Sequence, residues 1–324
     1  MKFAHKKISL LIAVSLIIGS GASLDAKSKK DKEESRSQSV VRELSGEPVK
    51  LLDSMPPFMV WRAEKPKGNI ICLHELGMYN GVFEDLGKSL SKEGYTVYSM
   101  DLRGFGGWSD PKYGKDGQMD LKNTLSDIKA AAEELKKREP QTKVFLLGEA
   151  MGGALVLEAA AKFKDLIAGI ISSAPGGEHF GTLNNYTTVA SRFIAGNKRF
   201  NKGEKLVELA TPKKELQEAL KQDPKIRLNL EPRELMACQF YMYKTKKFAR
   251  QIASTPVLIV QGEKDGESRP EGARKIYDKL ATKDKQYLNL PNGDHYVFED
   301  TKVDNDAMKA TIAWLDKRAN ASPL

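Results

Sequence analysis

The stretch that decides the fold is 144-VFLLGEAMGGALVLEAA-160. It opens with a continuous apolar run, typical of a buried strand, and continues with small apolar residues typical of a helix. Gly148 and Gly152 flank its middle and permit a turn tight enough to hold Ala150 in a strained conformation where the helix begins. The pattern is that of a G-x-S-x-G nucleophile elbow with alanine in place of serine. It predicts a strand, a sharp turn and a helix.

Strand-like runs and helical patterns alternate along most of the chain. Several runs are continuously apolar, which is typical of parallel strands covered on both faces. Helical patterns separate them, as in LKNTLSDIKAAAEELKKREP (121–140), which ends on a proline. The alternation predicts an α/β fold with a doubly wound, mostly parallel sheet. The predicted strands are NIICLHE (69–75), TVYSMD (96–101), KVFLLGE (143–149), IAGIISSAP (167–175), PVLIVQGEKD (256–265) and KQYLNLP (285–291).

One segment interrupts this alternation. Residues 176–250 are rich in helical patterns and lack the strand–helix rhythm. Because they lie between two predicted core strands, they are expected to form a helical cap inserted over the strand ends, and such insertions commonly shape a substrate pocket. The predicted core then comprises residues 46–175 and 251–320.

The N-terminus has the pattern of a secretory signal peptide. Positive charge in MKFAHKK precedes the short apolar run ISLLIAVSLIIG, and small residues follow at Ser20 and Ala22. The run is too short for a comfortable membrane span. Residues 1–22 are therefore predicted to be cleaved, with Ala26 as a second cleavage point and a retained membrane anchor as the alternative. The expected location is secreted or periplasmic. Residues 23–45 bury too little apolar surface to order and are predicted to be a flexible linker.

Composition and charge limit the classes of binding partner that the chain is expected to have. Charged residues make up 29% of the 324 residues and the formal net charge is +9, but the lysines are scattered along helices rather than gathered with aromatics. This favours a solvated surface over nucleic-acid binding and leaves weak contact with a membrane surface open. The two cysteines, Cys72 and Cys238, are expected to be buried free thiols. Two cysteines alone do not make a metal site, and no metal or organic cofactor is predicted.

The late part of the chain supplies the partners that an elbow requires. Asp265 ends the predicted strand VLIVQGEKD, and His295 lies in a loop beyond YLNLP. Acid and then histidine after the elbow is the order of a catalytic triad, so we expect Asp265 to orient His295. Met151, directly after the elbow, and Leu76, in the turn after strand 69–75, are expected to provide the two amides of an oxyanion hole. His74 is expected to brace that turn.

Together these motifs resemble the α/β-hydrolase superfamily, specifically the monoacylglycerol lipase and lysophospholipase group (serine aminopeptidase S33 type). The resemblance covers about residues 46–318 and rests on 74-HELG-77, 101-DLRGFGGWSD-110, 148-GEAMGG-153 and the late Asp and His. It implies the α/β-hydrolase fold with a helical cap, a serine ester hydrolase as the family activity, and an acyl ester or lipid-like small molecule as the ligand.

Two residues depart from the family pattern. Glu75 stands where the family usually has glycine, beside a site meant for a developing anion. Ala150 has no oxygen, so no acyl-enzyme can form on it. Neighbouring groups are not expected to replace it: Glu149 should point away from the pocket, and Ser172 and Ser173 do not stand on an elbow.

Three interpretations remain open. In the first, the chain has lost turnover and binds an acyl or other apolar ligand as a pseudoenzyme. Alternatively, the dyad of His295 and Asp265 activates water without a covalent intermediate. The third interpretation, a serine replaced deliberately to trap a ligand, is disfavoured by the leader. A purely structural role is weaker, because a scaffold needs no Asp and His in catalytic order. Whether the chain is an enzyme is therefore undecided by its sequence.

Overall fold

The computed structural model describes residues 44–113, 117–178 and 182–320. The predicted signal peptide, residues 1–22, lies outside these ranges, and so does the predicted linker except for its last two residues. Among the described residues, none of the helices combines the length and apolar character that a membrane span requires.

A twisted sheet of eight strands lies at the centre of the described chain. The strands are β1 (Glu47–Val49), β2 (Phe58–Trp61), β3 (Gly68–Leu73), β4 (Tyr95–Met100), β5 (Lys143–Glu149), β6 (Gly169–Ser173), β9 (Val257–Gly262) and β10 (Lys285–Leu290), with β7 (Phe200–Asn201) and β8 (Asn229–Leu230) forming a separate antiparallel pair. The order in the sheet is β1-β2-β4-β3-β5-β6-β9-β10. Pairings from β4 to β10 are parallel, whereas β1 and β2 are antiparallel to their neighbours.

This topology confirms the predicted α/β class with a mostly parallel sheet. The pattern missed β1 and β2, which have three and four residues and are too short to show a periodicity. The predicted strand 256–265 is also shorter in the structure. It ends at Gly262, where the backbone of Gly293 and Asp294 comes so close that a Cβ would lie 2.3–2.4 Å from their carbonyl oxygens.

The described chain contains ten α-helices, of which five pack against the sheet and five belong to the segment inserted between β6 and β9. They are α1 (Glu84–Lys92), α2 (Leu121–Arg138), α3 (Met151–Lys162), α4 (Thr182–Ile194), α5 (Gly203–Ala210), α6 (Lys214–Gln222), α7 (Pro232–Met242), α8 (Thr245–Gln251), α9 (Pro270–Lys279) and α10 (Asn305–Ala319). Two apolar clusters lie on opposite faces, and successive residues of one strand divide between them. Ile71 and Leu73 of β3 belong to one cluster, Ile70 and Cys72 to the other. This division explains the continuously apolar strands, since side chains alternate in direction along a strand.

Between β6 and β9 the described chain forms α4 to α8 and the β7–β8 pair. This inserted segment contacts two loops at the carboxyl ends of the core strands. The amide of Arg227 donates to the carbonyl of Gly77 over 2.8 Å, in the turn after β3. The amide of His295 donates to the carbonyl of Ala210 over 2.9 Å. Both loops are thereby tied to the insertion at the sheet edge where ligands bind in doubly wound folds.

Candidate active site

The turn between β5 and α3 has the geometry of an elbow. Ala150 has φ 46° and ψ −106°, a conformation that L-residues adopt rarely, and its amide donates to the carbonyl of Ser173 over 2.9 Å. The flanking glycines are required by close backbone contact. A Cβ on Gly148 would lie 2.2 Å from the carbonyl oxygen of Gly152, and a Cβ on Gly152 would lie 2.0 Å from that of Leu73. The site therefore presents a methyl group at the tip of the elbow.

His295 and Asp265 lie together, in the arrangement that their order in the chain predicts. His295 Nδ1 is 2.8 Å from Asp265 Oδ2, and both side chains are almost fully buried. The carboxylate is held from behind by the Ser268 hydroxyl, the Gln261 amide and the backbone amides of Glu267 and Ser268, at 2.8–3.0 Å. This fixes the imidazole with its Nδ1 proton toward Asp265 and leaves Nε2 as the reactive nitrogen.

Nε2 of His295 faces two further carboxylates. It lies 3.6 Å from Glu75 Oε1 and 3.9 Å from Glu267 Oε2, beyond hydrogen-bond distance. Within the described part of the chain, this nitrogen has no hydrogen-bond partner. Glu75, the departure noted in the sequence, thus points toward the histidine rather than away from it.

The turn after β3 is braced by His74, as its position predicts. The ring is fully buried, donates through Nδ1 to the carbonyl of Glu75 (2.6 Å) and accepts at Nε2 from the amide of Leu102 (3.0 Å). Burial lowers the pKa of His74 to about 4, so the ring is neutral at physiological pH. The amides of Leu76 and Met151 donate to no other group in the described chain. Their role as the two oxyanion donors stays a prediction.

Glu149 plays a part that the sequence did not reveal. Its carboxylate accepts from the amides of Val297, Phe298 and Glu299 at 2.8–2.9 Å, and from the hydroxyl of Ser173 at 2.7 Å. The residue before the elbow thus holds the loop that follows His295. The three amide donors lie 148–150 residues away in the chain, so no local pattern indicates them.

The hydroxyls near the elbow are already engaged. Ser173 Oγ donates to Glu149, and Ser172 Oγ donates to the carbonyl of Gly153 over 2.8 Å. Ser268 Oγ donates to Asp265. None of these three serines stands in the elbow position, so none of them is placed as a replacement for residue 150.

Several buried carboxyl groups lie close to one imidazole and shift its pKa and one another's. Burial alone would lower the pKa of His295, but the charges of Asp265, Glu267 and Glu75 raise it well above its usual value. Burial, reinforced by the charge of Glu75, raises the pKa of Glu267 to about 8. Burial would raise the pKa of Asp265 as well, but the charge and hydrogen bond of His295 lower it to about 2. The site accordingly gathers several buried carboxyl groups around one imidazole.

The turn after β4 supports the same edge of the sheet. Asp101 accepts from the amides of Asn80 (2.7 Å) and Gly107 (2.8 Å), while Arg103 forms a two-point ion pair with Asp127 at 2.6 and 2.9 Å. Burial raises the pKa of Asp101 to about 6, although its amide partners oppose this. The turn holds the Leu102 amide against His74 and so positions the oxyanion loop.

Comparison with known proteins places this geometry in a family. Residues 64–302 match the model of the family described as serine aminopeptidase, S33. The chain is 28% identical over 284 residues to monoglyceride lipase from Saccharomyces cerevisiae, an alignment that covers 80% of this chain and 89% of that protein. It is 22% identical over 250 residues to monoacylglycerol lipase from Mycolicibacterium smegmatis, covering 74% of this chain and 86% of the relative.

The fold has a close counterpart among solved structures. A soluble variant of the Saccharomyces cerevisiae monoglyceride lipase, in complex with a substrate analog, superposes with a TM-score of 0.71 at 22% identity. The superposition covers 86% of this chain and 98% of the other. The likeness supports the α/β-hydrolase fold.

Proposed function

Because the chain belongs to the serine aminopeptidase S33 family of α/β-hydrolases, we propose that it binds an acyl ester or another lipid-like small molecule without forming an acyl-enzyme. The observation that carries this proposal is Ala150 in the elbow conformation, with φ 46°, beside an assembled pair of His295 and Asp265. Acyl transfer needs an oxygen or sulfur at the elbow, and a methyl group offers neither. Loss of a triad nucleophile lowers turnover by about 10⁶-fold.

The names of similar proteins and the exposed apolar side chains of the inserted segment support a lipid-like ligand. The similar proteins from yeast and Mycolicibacterium smegmatis are named as lipases of monoglycerides or monoacylglycerols. The inserted segment also exposes large apolar side chains: Phe193 and Ile194 on α4, and Phe240 and Tyr243 at α7, are 45–85% exposed. Exposed apolar groups of this size favour weak contact with a lipid surface. In this proposal the insertion guides an apolar ligand toward Ala150.

We further propose that the protein is exported. The support is the leader pattern of residues 1–22. Mass spectrometry of the protein from its own cells will test it: a mature chain starting at Ser23 or Lys27 supports cleavage, and a chain that retains residues 1–22 contradicts it and supports the anchor.

A second candidate function has its own supporting observation. Nε2 of His295 has no partner in the described structure, while Nδ1 is held by Asp265. In its neutral form the ring can accept a proton from water at Nε2, and the resulting hydroxide would hydrolyse an ester without a covalent intermediate. Because the surrounding carboxylates raise the pKa of His295, this step is expected at alkaline pH. The small volume of Ala150 leaves room for a water molecule where a serine hydroxyl would lie.

One variant separates the two candidates. The protein and its Ala150→Ser form are assayed with p-nitrophenyl butyrate and with a monoacylglycerol, and both are treated with a fluorophosphonate that labels activated serines. We expect hydrolysis and labelling in Ala150→Ser only, since the dyad and the oxyanion donors are in place. His295→Ala in the Ala150→Ser background is the control and should abolish both. Binding is measured separately, by calorimetry with a non-hydrolysable monoalkyl glycerol ether.

Different results of these assays would refute each of the two candidate functions. Hydrolysis by the unchanged protein that His295→Ala abolishes would refute the first candidate and support the second. No labelling of Ala150→Ser, together with no binding of the ether, would refute the proposal that this pocket takes acyl ligands.

A further inference from the structure

We propose that Glu75, Glu267 and His295 form a binding site for a divalent cation of the Zn²⁺ class. The proposal goes beyond the acyl-ligand function, and it does not depend on it. It starts from an unusual grouping: the three side chains come from the turn after β3, the turn after β9 and the loop after β10, and one potential ligand atom from each lies within 4.8 Å of the other two.

The distances fit coordination to one ion. Zn²⁺ binds imidazole nitrogen and carboxylate oxygen at about 2.0–2.2 Å. Two such atoms lie about 3.4 Å apart at a tetrahedral angle and about 4.2 Å apart when opposite each other. The separations of His295 Nε2 from Glu75 Oε1 and from Glu267 Oε2 are 3.6 and 3.9 Å. Both lie between those two limits, so an ion could be held with shifts of a few tenths of an ångström.

Each of the three side chains carries a buried polar atom without a hydrogen-bond partner in the described chain, and for Glu75 this atom is Oε2 and not the Oε1 that lies 3.6 Å from His295. Glu75 Oε2, Glu267 Oε2 and His295 Nε2 are buried polar atoms without a hydrogen bond in the described structure. The three side chains are 5%, 10% and 1% exposed. An unpaired buried polar atom is costly, and more so when it carries charge. A cation among them would satisfy all three.

The charge around the site also calls for a cation. Besides the two ligand glutamates, Asp265, Glu149 and Glu299 are buried nearby, and Glu299 Oε1 accepts from the amide of Glu75 over 2.7 Å. Five carboxyl groups therefore surround one imidazole, more than its single positive charge can offset when they ionise. Lys202 is a further positive charge that acts on Glu267. A divalent ion would supply the remaining compensation at the centre of the cluster.

The second layer around His295 is that of a metal-binding histidine. Such histidines donate their other ring nitrogen to a carboxylate, which fixes the tautomer and strengthens the ligand. Asp265 does this at Nδ1 over 2.8 Å, and four hydrogen bonds hold Asp265 in turn. One nitrogen and two carboxylate oxygens leave a fourth position for water or a ligand oxygen, which is the pattern of catalytic rather than structural zinc sites.

The test is metal binding, measured without any ester. Untagged full-length protein is stripped with EDTA, dialysed and titrated with ZnCl₂ at pH 7 by calorimetry. We expect one equivalent to bind, and Glu75→Gln and Glu267→Gln each to weaken binding by at least about tenfold, since even outer-layer changes cost that much. Glu263→Gln is the matched control: Glu263 is an exposed acid directly after β9, bonded to Asn289, and its replacement should leave the affinity unchanged.

Thermal melting distinguishes loss of a ligand from loss of the fold. In EDTA, Glu267→Gln should melt no lower than the unchanged protein, because an amide relieves repulsion among the acids. Zn²⁺ should raise the melting temperature of the unchanged protein but not that of Glu267→Gln. Absence of stoichiometric binding, or equal affinity in both glutamine variants and the unchanged protein, overturns the site. Failure of ether binding or serine labelling would count against the acyl-ligand function and leave this result untouched.

Discussion

Asp101 is expected to make the stability of the protein depend on pH between 4 and 7. Its carboxyl group is 6% exposed and accepts from the amides of Asn80 and Gly107, at the turn that supports His74. Burial raises its pKa from 3.8 to about 6 in the folded protein. The folded state therefore binds this proton more tightly than the unfolded state does.

The sign and size follow from linkage. Because the folded pKa is the higher one, the stabilising contribution is complete below pH 4 and is lost as pH rises through 6. Each unit of pKa difference is worth about 1.4 kcal/mol, so the loss is about 3 kcal/mol. For a domain of this size that corresponds to a change in melting temperature of about 6 °C.

Asp101→Asn tests this, because an amide does not titrate. Melting temperatures of the unchanged protein and the variant are compared at pH 4, 5, 6 and 7, and the difference between them is plotted against pH. We expect the variant to gain about 3 kcal/mol relative to the unchanged protein between pH 4 and 7, whatever its absolute stability. Asp110→Asn, at an exposed position in the same turn, is the control and should show a flat difference.

A flat difference for Asp101→Asn would refute the reasoning, since it would mean that the buried carboxyl has the same pKa folded and unfolded. A difference of opposite sign would show that the Asn80 and Gly107 amides outweigh burial and lower the folded pKa.

Two further predictions concern packing. Gly152→Ala should cost more than about 4 kcal/mol of folding free energy, or prevent folding, because its Cβ would lie 2.0 Å from the Leu73 carbonyl oxygen. Its soluble yield and melting temperature are compared with those of Gly176→Ala, whose Cβ would meet nothing closer than 3.3 Å. Equal melting temperatures of the two variants would contradict the close contact. Cys72 is fully buried, and burial raises the pKa of its thiol. In a Cys238→Ser background this thiol should therefore react with Ellman's reagent only when the chain unfolds. Reaction at the same rate in the native protein and in urea would contradict this prediction.

Much of the fold follows from local sequence. The runs that became β3, β5 and β9 are continuously apolar because both faces of each strand are covered, and this signal is read without knowing the neighbours. The elbow is read from a local pattern as well, and one of its glycines, Gly148, is required by a contact four residues away, whereas Gly152 is required by the backbone of Leu73 on the adjacent strand. The short antiparallel strands β1 and β2 escaped prediction because three or four residues carry no period, and the sheet edge alone defines them.

What the amino-acid order determined by itself is the list of parts: an elbow with alanine at residue 150, an acid after one strand and a histidine after another. Only the tertiary structure decided how those parts meet. Glu75 and Glu267 are separated by almost two hundred residues, and Glu149 by about 150 from the loop it holds, yet all lie around His295. The physical reason is that parallel strands deliver their carboxyl ends to one edge in an order set by long-range pairing. The side chains around His295 become buried and close to one another only once the sheet has formed.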